Sequence, residues 1–137
     1  MKKKISIEII TPSKSAYKGE VKSITLPGTV GSFQVLFNHA PVLSSLEIGR
    51  IIIEDLNEKI IEFATSGGTV EIKNNKILVL VDSVESASEI DVERAKDSYQ
   101  RAKERLSIKS QKQTDIARAE ASLHRAINRM KLAGHSF

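Results

Sequence analysis

The 137-residue chain has no cysteine and no tryptophan, and aromatic side chains make up only 4% of it. Without thiols there is no disulfide framework and no cysteine-based zinc site, and the lack fits a reducing compartment. Three scattered histidines, His39, His124 and His135, make a poor metal set. No run of about 18 apolar residues occurs, so no segment reads as a membrane-spanning helix. The opening MKKKISIEII has lysines followed by isoleucines, yet Ser6 and Glu8 interrupt the apolar part and no small-residue cleavage site follows. A cytosolic protein is the expectation. A Gly-rich phosphate loop is also missing, because Gly67-Gly68 is followed by Thr-Val-Glu rather than Lys-Ser. No nucleophile is paired with a base and no cofactor cradle is evident, so nothing in the sequence suggests catalysis.

Proline and glycine are missing from one part of the chain only. All three prolines and six of the seven glycines lie at or before Gly68, and the next glycine is Gly134. Charge divides at a similar place. Residues 1–88 hold ten Lys/Arg and ten Asp/Glu, whereas residues 89–137 hold eleven and seven, so the whole formal charge of +4 sits in the last third. With 40% hydrophobic residues, the chain suits a globular domain of about 85 residues carrying an appendage.

The first part alternates. Ile5, Ile7 and Ile9 predict a strand ended by TPSKS, and VKSITL predicts another closed by PGTVGS. Phe33, Val35 and Phe37 alternate in FQVLF, IGRIIIEDL turns at NEK into IIEFATS, and GGTVEIKNNKILVLV gives two strands across an Asn-Asn turn. Short strands at this spacing predict an antiparallel sandwich or barrel.

After Val81 the period changes. Val92, Ala95, Tyr99, Ala102 and Leu106 fall at alternating gaps of three and four, with Ser88-x-x-Asp91 as a capping box before them. SIKSQKQT interrupts. A second seam runs through Ile116, Ala119, Leu123, Ala126 and Met130, with Thr114 or Asp115 as cap and Gly134 as stop. The fold class is therefore α+β, with a β-sandwich over residues 1–86 and an antiparallel two-helix hairpin over 87–137. The seams hold more alanine than leucine, so each helix buries little and the hairpin is marginal alone.

With seam positions labelled a and d, Arg94, Arg101, Arg118 and Arg125 fall at c and Arg129 at g. In an antiparallel pair the g flanks face one another and c lies beside g, so all five guanidinium groups project to one side. Three readings stay open. One is a solvated face, softened by intrahelical partners such as Glu104 and Glu120 or, for Asp91, a plain N-cap role. The others are a nucleic-acid clamp and an anion site, for which arginine's planar fork is well shaped.

Longer stretches carry a resemblance. GSFQVLFNHAPVLSSLEIG is similar to the G-x-[aromatic or Leu]-x-[Ile/Val]-L-x-x-H-x-P segment of the epsilon subunits of bacterial F-type ATP synthases. FATSGGTVEIKNNKILVLVDSVE resembles their Ser-Gly-Gly segment and closing strand. The resemblance implies a sandwich of about ten strands that binds the gamma subunit and the ring of c subunits in the central stalk. It implies a non-catalytic, peripheral subunit on the cytoplasmic side of the inner membrane. The hairpin would permit turnover when folded down and inhibit ATP hydrolysis when extended towards the catalytic beta and alpha subunits. Some members bind ATP through I/L-D-x-x-R-A, which Ile90-Asp91-Val92-Glu93-Arg94-Ala95 matches. By that likeness ATP is the regulatory ligand. Glu85, Ile90 and Asp91 would contact its adenosine end, and Arg94, Arg101, Arg125 and Arg129 its phosphates. His39, and Ser32 where many members carry an acidic residue, would lie at the gamma or ring interface. Alternatives are an inhibitory hairpin indifferent to ATP and a small nucleic-acid-binding adaptor.

Overall fold

A computed structural model describes residues 3–108 and 112–134. His135, named among the scattered histidines, lies outside the described residues. Two compact units part between Glu85 and Ser86.

Nine strands form the first unit among the described residues, in the order β1-β8-β7-β4-β2-β5-β6-β9, with β3 paired to β2 and β1 also paired to β2. They are β1 (Ile5–Ile10), β2 (Ser15–Gly28), β3 (Gly31–Val35), β4 (Val42–Leu46), β5 (Gly49–Asp55), β6 (Ile60–Thr65), β7 (Gly68–Lys73), β8 (Lys76–Val81) and β9 (Val84–Ser86). Most neighbours run antiparallel, but β1 and β8 are parallel, with Ile7 opposite Ile77 and Ile9 opposite Val79. Alternation places Ile5, Ile7 and Ile9 in the core together with Ile51, Ile53, Val70, Ile72, Ile77 and Val79.

Strand β2 is longer than the VKSITL segment suggests. It pairs with β1 from Ser15 to Val21 and with β3 from Ile24 to Gly28. Its pairing with β5 slips between Val21 and Ser23. That slip changes the parity of the inward residues, so Val21 is buried on one side of it and Ile24 and Leu26 on the other. FQVLF is shorter than expected: β3 ends at Val35, and Leu36 and Phe37 are exposed in the loop that follows. Two strands lack a sequence signal. In β4, VLSSL has Ser44 and Leu43 on the faces opposite to a simple core pattern, and VES of β9 is too short to show a period.

The β7–β8 turn is a two-residue connection with Asn74 and Asn75 at φ 52° and 60°. Both central residues in the left-handed region is the hallmark of a type I′ hairpin, whose twist suits the flanking strands. Asn75 also accepts the Asn38 backbone N–H at 2.6 Å, which ties the loop after β3 to this turn.

In the second unit a single 3₁₀ turn, Ala87–Glu89, precedes α1 (Val92–Leu106), and α2 spans Gln113–Leu132. The expected Ser88–Asp91 capping box and the Thr114 or Asp115 cap do not form, whereas the N-cap role weighed for Asp91 does. Glu89, not Asp91, reaches back to Ser86, accepting its hydroxyl at 2.8 Å and its backbone N–H at 3.2 Å. Asp91 is itself the N-cap of α1, taking the Arg94 N–H on Oδ1 at 3.1 Å. The box is displaced because Ser88 is consumed by the 3₁₀ turn. Helix α2 starts with Lys112 as N-cap and no side-chain cap, which puts Thr114 and Asp115 inside the helix. Gly134, at φ 85°, follows its end and supplies the left-handed stop. The helices pack through Ala95 and Ala102 of α1 and Ala119, Ala126 and Met130 of α2, all buried, while Val92, Tyr99, Leu106, Ile116 and Leu123 are half-buried.

Two substitutions test these contacts. A methyl group added at Gly68 would collide with the Leu80 carbonyl oxygen and stand 2.7 Å from Val81 Cα. Gly68→Ala should lower the unfolding free energy of the sandwich by about 1–3 kcal/mol in urea titration, the usual effect of overpacking against backbone that cannot yield. Asp91→Ala should lower the thermal stability of the hairpin by about 1 kcal/mol, whereas Asp91→Asn, an equally good cap, should leave it nearly unchanged in circular dichroism melts.

Candidate functional site

Helix phase decides which side chains share a surface. Each c-position arginine immediately precedes a buried alanine: Arg94 before Ala95, Arg101 before Ala102, Arg118 before Ala119 and Arg125 before Ala126. One residue is a rotation of about 100°, so the arginines of both helices leave the seam on the same rotational side. A short connection reverses the chain, and that common side becomes one flank of the hairpin. Arg94, Arg101 and Arg125 are exposed, while Arg129, at g and closer to the partner helix, is half-buried.

Partners of these arginines differ from the softening expected. Among the described residues, neither Glu104 nor Glu120 forms an ion pair with Arg94, Arg101, Arg118 or Arg125. Arg101 instead donates from Nη2 to Ser98 Oγ at 3.3 Å, and Arg125 donates from Nη2 to Ser122 Oγ at 3.1 Å. A neutral hydroxyl orients a guanidinium without neutralising it, so the positive charge of the flank persists. On α1, Glu93 lies 3.8 Å from Lys96. Lys103 sits 5.3 Å over the Tyr99 ring.

The other site residues fall as follows. Ile90 is buried just before α1, and Asp91 is exposed at its N-cap with Oδ1 engaged by the backbone. Glu85 is half-buried in β9, within the first unit, whereas Ile90, Asp91 and the arginines belong to the second. Ser32 is exposed on β3 opposite Pro27. His39 is half-buried in the loop after β3, its Nδ1 2.7 Å from the Ala40 carbonyl and its backbone N–H donating to Leu36. Ser98 and Ser122 were absent from the sequence expectation, yet a signal exists: Ser-x-x-Arg occurs once in each helix, at the same seam phase. Among the described residues no group of three or more His, Asp or Glu could hold a metal, and no helix is long and apolar enough to cross a membrane.

A shallow groove of about 700 Å³ also lies on the sandwich, between Glu8, Lys18, Glu20, Lys73, Lys76 and Leu78. Its charges alternate in sign, and it has neither the arginine excess of the hairpin flank nor an enclosed apolar floor.

Known proteins resemble the chain in both units. The profile described as ATP synthase, Delta/Epsilon chain, beta-sandwich domain matches residues 4–87, and that described as the long alpha-helix domain of the same chain matches 88–134. The ATP synthase epsilon chain of Salinibacter ruber is 40% identical over 114 residues, covering 77% of this chain and 76% of that one. The epsilon chain of Desulforamulus reducens is 41% identical over 109 residues, covering 80% and 82%. Among solved structures, one from the OSCP/F1/c-ring assembly of Euglena gracilis mitochondrial ATP synthase has a TM-score of 0.85 at 18% identity, over 98% of this chain and 84% of that one. One from the central stalk and c-ring of the Tetrahymena thermophila enzyme has a TM-score of 0.69 at 17% identity, over 96% and 98%. At such identities the structures speak for the fold alone, but two domain profiles in sequence and relatives at 40% identity place the protein in a family: the chain belongs to the delta/epsilon chains of ATP synthase, on the side of the bacterial epsilon subunits.

Proposed function

We propose that this chain is a non-catalytic central-stalk subunit of an F-type ATP synthase whose helical hairpin binds ATP and restrains ATP hydrolysis. The observation that carries the ATP reading is the arginine flank. Arg94, Arg101 and Arg125 lie exposed and form no ion pair among the described residues, and Arg129 stands on the same side of the seam. Like charges held together on two packed helices repel unless an anion joins them, and guanidinium groups pair with phosphate oxygens in charge-assisted, often bidentate bonds. Ile90 and Asp91 take the adenosine end. Asp91 keeps a carboxylate oxygen for this role, because only Oδ1 is occupied by the helix cap.

The sandwich, through its loops at Ser32 and His39, meets the gamma subunit and the c-ring. The complex holds the chain peripherally on the cytoplasmic side of the inner membrane. When the hairpin extends, its basic flank meets the catalytic beta and alpha subunits. Support for this arrangement comes from relatives named as epsilon chains and from fold neighbours found in central-stalk and c-ring assemblies. ATP held only by the closed hairpin stabilises it by mass action, about 2.7 kcal/mol at a hundredfold excess over its dissociation constant. A seam built on alanine is weak enough for that increment to decide the conformation. A second reading, an inhibitory hairpin that ignores ATP, is favoured by one observation: Asp91 already has a structural task as N-cap.

Calorimetric titration of ATP into the full chain separates the two. Saturable heat that Arg94→Ala abolishes is expected; no heat at millimolar ATP, or a titration unchanged by the substitution, rules the sensor out. The brake is a separate matter. Removing residues 89–137 should raise the ATP hydrolysis rate of the assembled complex several-fold, and an unchanged rate would show that the hairpin does not inhibit.

A further inference from the structure

Two serines stand in matching places on the two helices, and each holds an arginine. Ser98 lies three residues before Arg101 and Ser122 three before Arg125, with Nη2–Oγ distances of 3.3 and 3.1 Å. Both serines are half-buried at position g, between the seam and the exposed c positions. An arginine at c can lean outwards, away from the partner helix, or inwards over g. A hydroxyl at g selects the inward direction. Each bond is between neutral and charged partners, so it orients the guanidinium while leaving its other N–H groups available to a ligand.

We propose that Ser98 and Ser122 are positioning residues that hold Arg101 and Arg125 over the shared flank, pre-organised for the phosphate chain of a nucleoside triphosphate. The physical advantage is entropic. A free arginine side chain populates many rotamers, and fixing it on binding costs affinity. Pre-set side chains avoid that cost, worth several-fold in affinity for each one held in place. Repetition of the same Ser-x-x-Arg arrangement in both helices means that the two arginines are directed from opposite walls of the hairpin towards one surface. Neither serine needs to touch the ligand. The site would therefore discriminate by the length of the phosphate chain, since each added phosphate reaches another pre-set guanidinium.

This inference rests on the reading that the flank takes ATP. Its test uses the full chain and compares wild type with the Ser98→Ala/Ser122→Ala double variant and with Ser98→Thr/Ser122→Thr, which keeps both hydroxyls. Calorimetry with ATP and with AMP should show ATP affinity falling about tenfold in the alanine variant, with AMP affinity little changed, and recovering in the threonine variant. The helical circular dichroism and melting temperature of the unliganded chain should not fall in the alanine variant, since alanine is the better helix former. In parallel, NMR of the unliganded protein should show faster rotation of the Arg101 and Arg125 guanidinium groups only when the hydroxyls are absent. If wild type binds ATP and the alanine variant binds it equally well, the positioning role is overturned while the site stands. The role is equally overturned if ATP and AMP affinities fall together with the melting temperature, because the serines would then be supporting the helices. If wild type binds no ATP, the functional reading fails, and with it the use proposed for the serines.

Discussion

Strand β2 supplies backbone hydrogen bonds to β1, β3, β4 and β5, and the first unit depends on how this one strand changes its allegiance along its length. Its first half closes one layer against β1, which in turn pairs in parallel with β8. Its second half lies between β3 and β5. A strand that serves two layers must bend, and the register slip between Val21 and Ser23 is where it does so. The slip also turns Ile24 and Leu26 inward to meet Ile51 and Ile53, so that a single branched-aliphatic core forms in place of two half-cores. Closing the layer through β1 removes edges that would otherwise be open to pairing with other chains.

The second unit is governed by the opposite economy. Alanine at 95, 102, 119 and 126 lets two helices approach closely but buries little apolar surface. Such a hairpin has a defined shape without much stability, which is the property wanted of an element that responds to a ligand. Its arginines are placed by the same residues. Because each c-position arginine adjoins a buried alanine, the seam that joins the helices also aims their charge. Packing and electrostatics are thus coupled through one residue of spacing: moving the arginines by one position would turn them all by about 100°, off this flank.

Much of this was legible in the chain because period is a local property. Ile5-Ile7-Ile9 announces a half-buried strand, Asn74-Asn75 the turn between β7 and β8, and the alternating gaps of three and four after Val92 a helical seam. The arginine flank followed from phase alone. Weaker parts of the reading failed where a second structure competed for the same residues. Ser88 looked like a cap for α1, but a 3₁₀ turn absorbed it and left Asp91 to do the capping. Glu104, three residues after Arg101, sat at a plausible spacing for an ion pair, yet Arg101 and Arg125 turned to serines instead. β4 stayed hidden because VLSSL has too few apolar residues to show which face is inward, and its place was decided by β7 alongside it.

By itself, then, the sequence determined the class of each half, the phase of each helix and the sign of the charge on one flank, since these depend on residues within a few positions of one another. Only the tertiary structure decided which strands are neighbours, that β1 runs parallel to β8, and why Gly68 admits no side chain beside Leu80 and Val81. It also decided the direction in which Arg101 and Arg125 lean. Strand partners are set by closing long loops and filling a common core, and rotamers by whichever acceptor the packed helices leave within reach; neither is encoded at any single position of the chain.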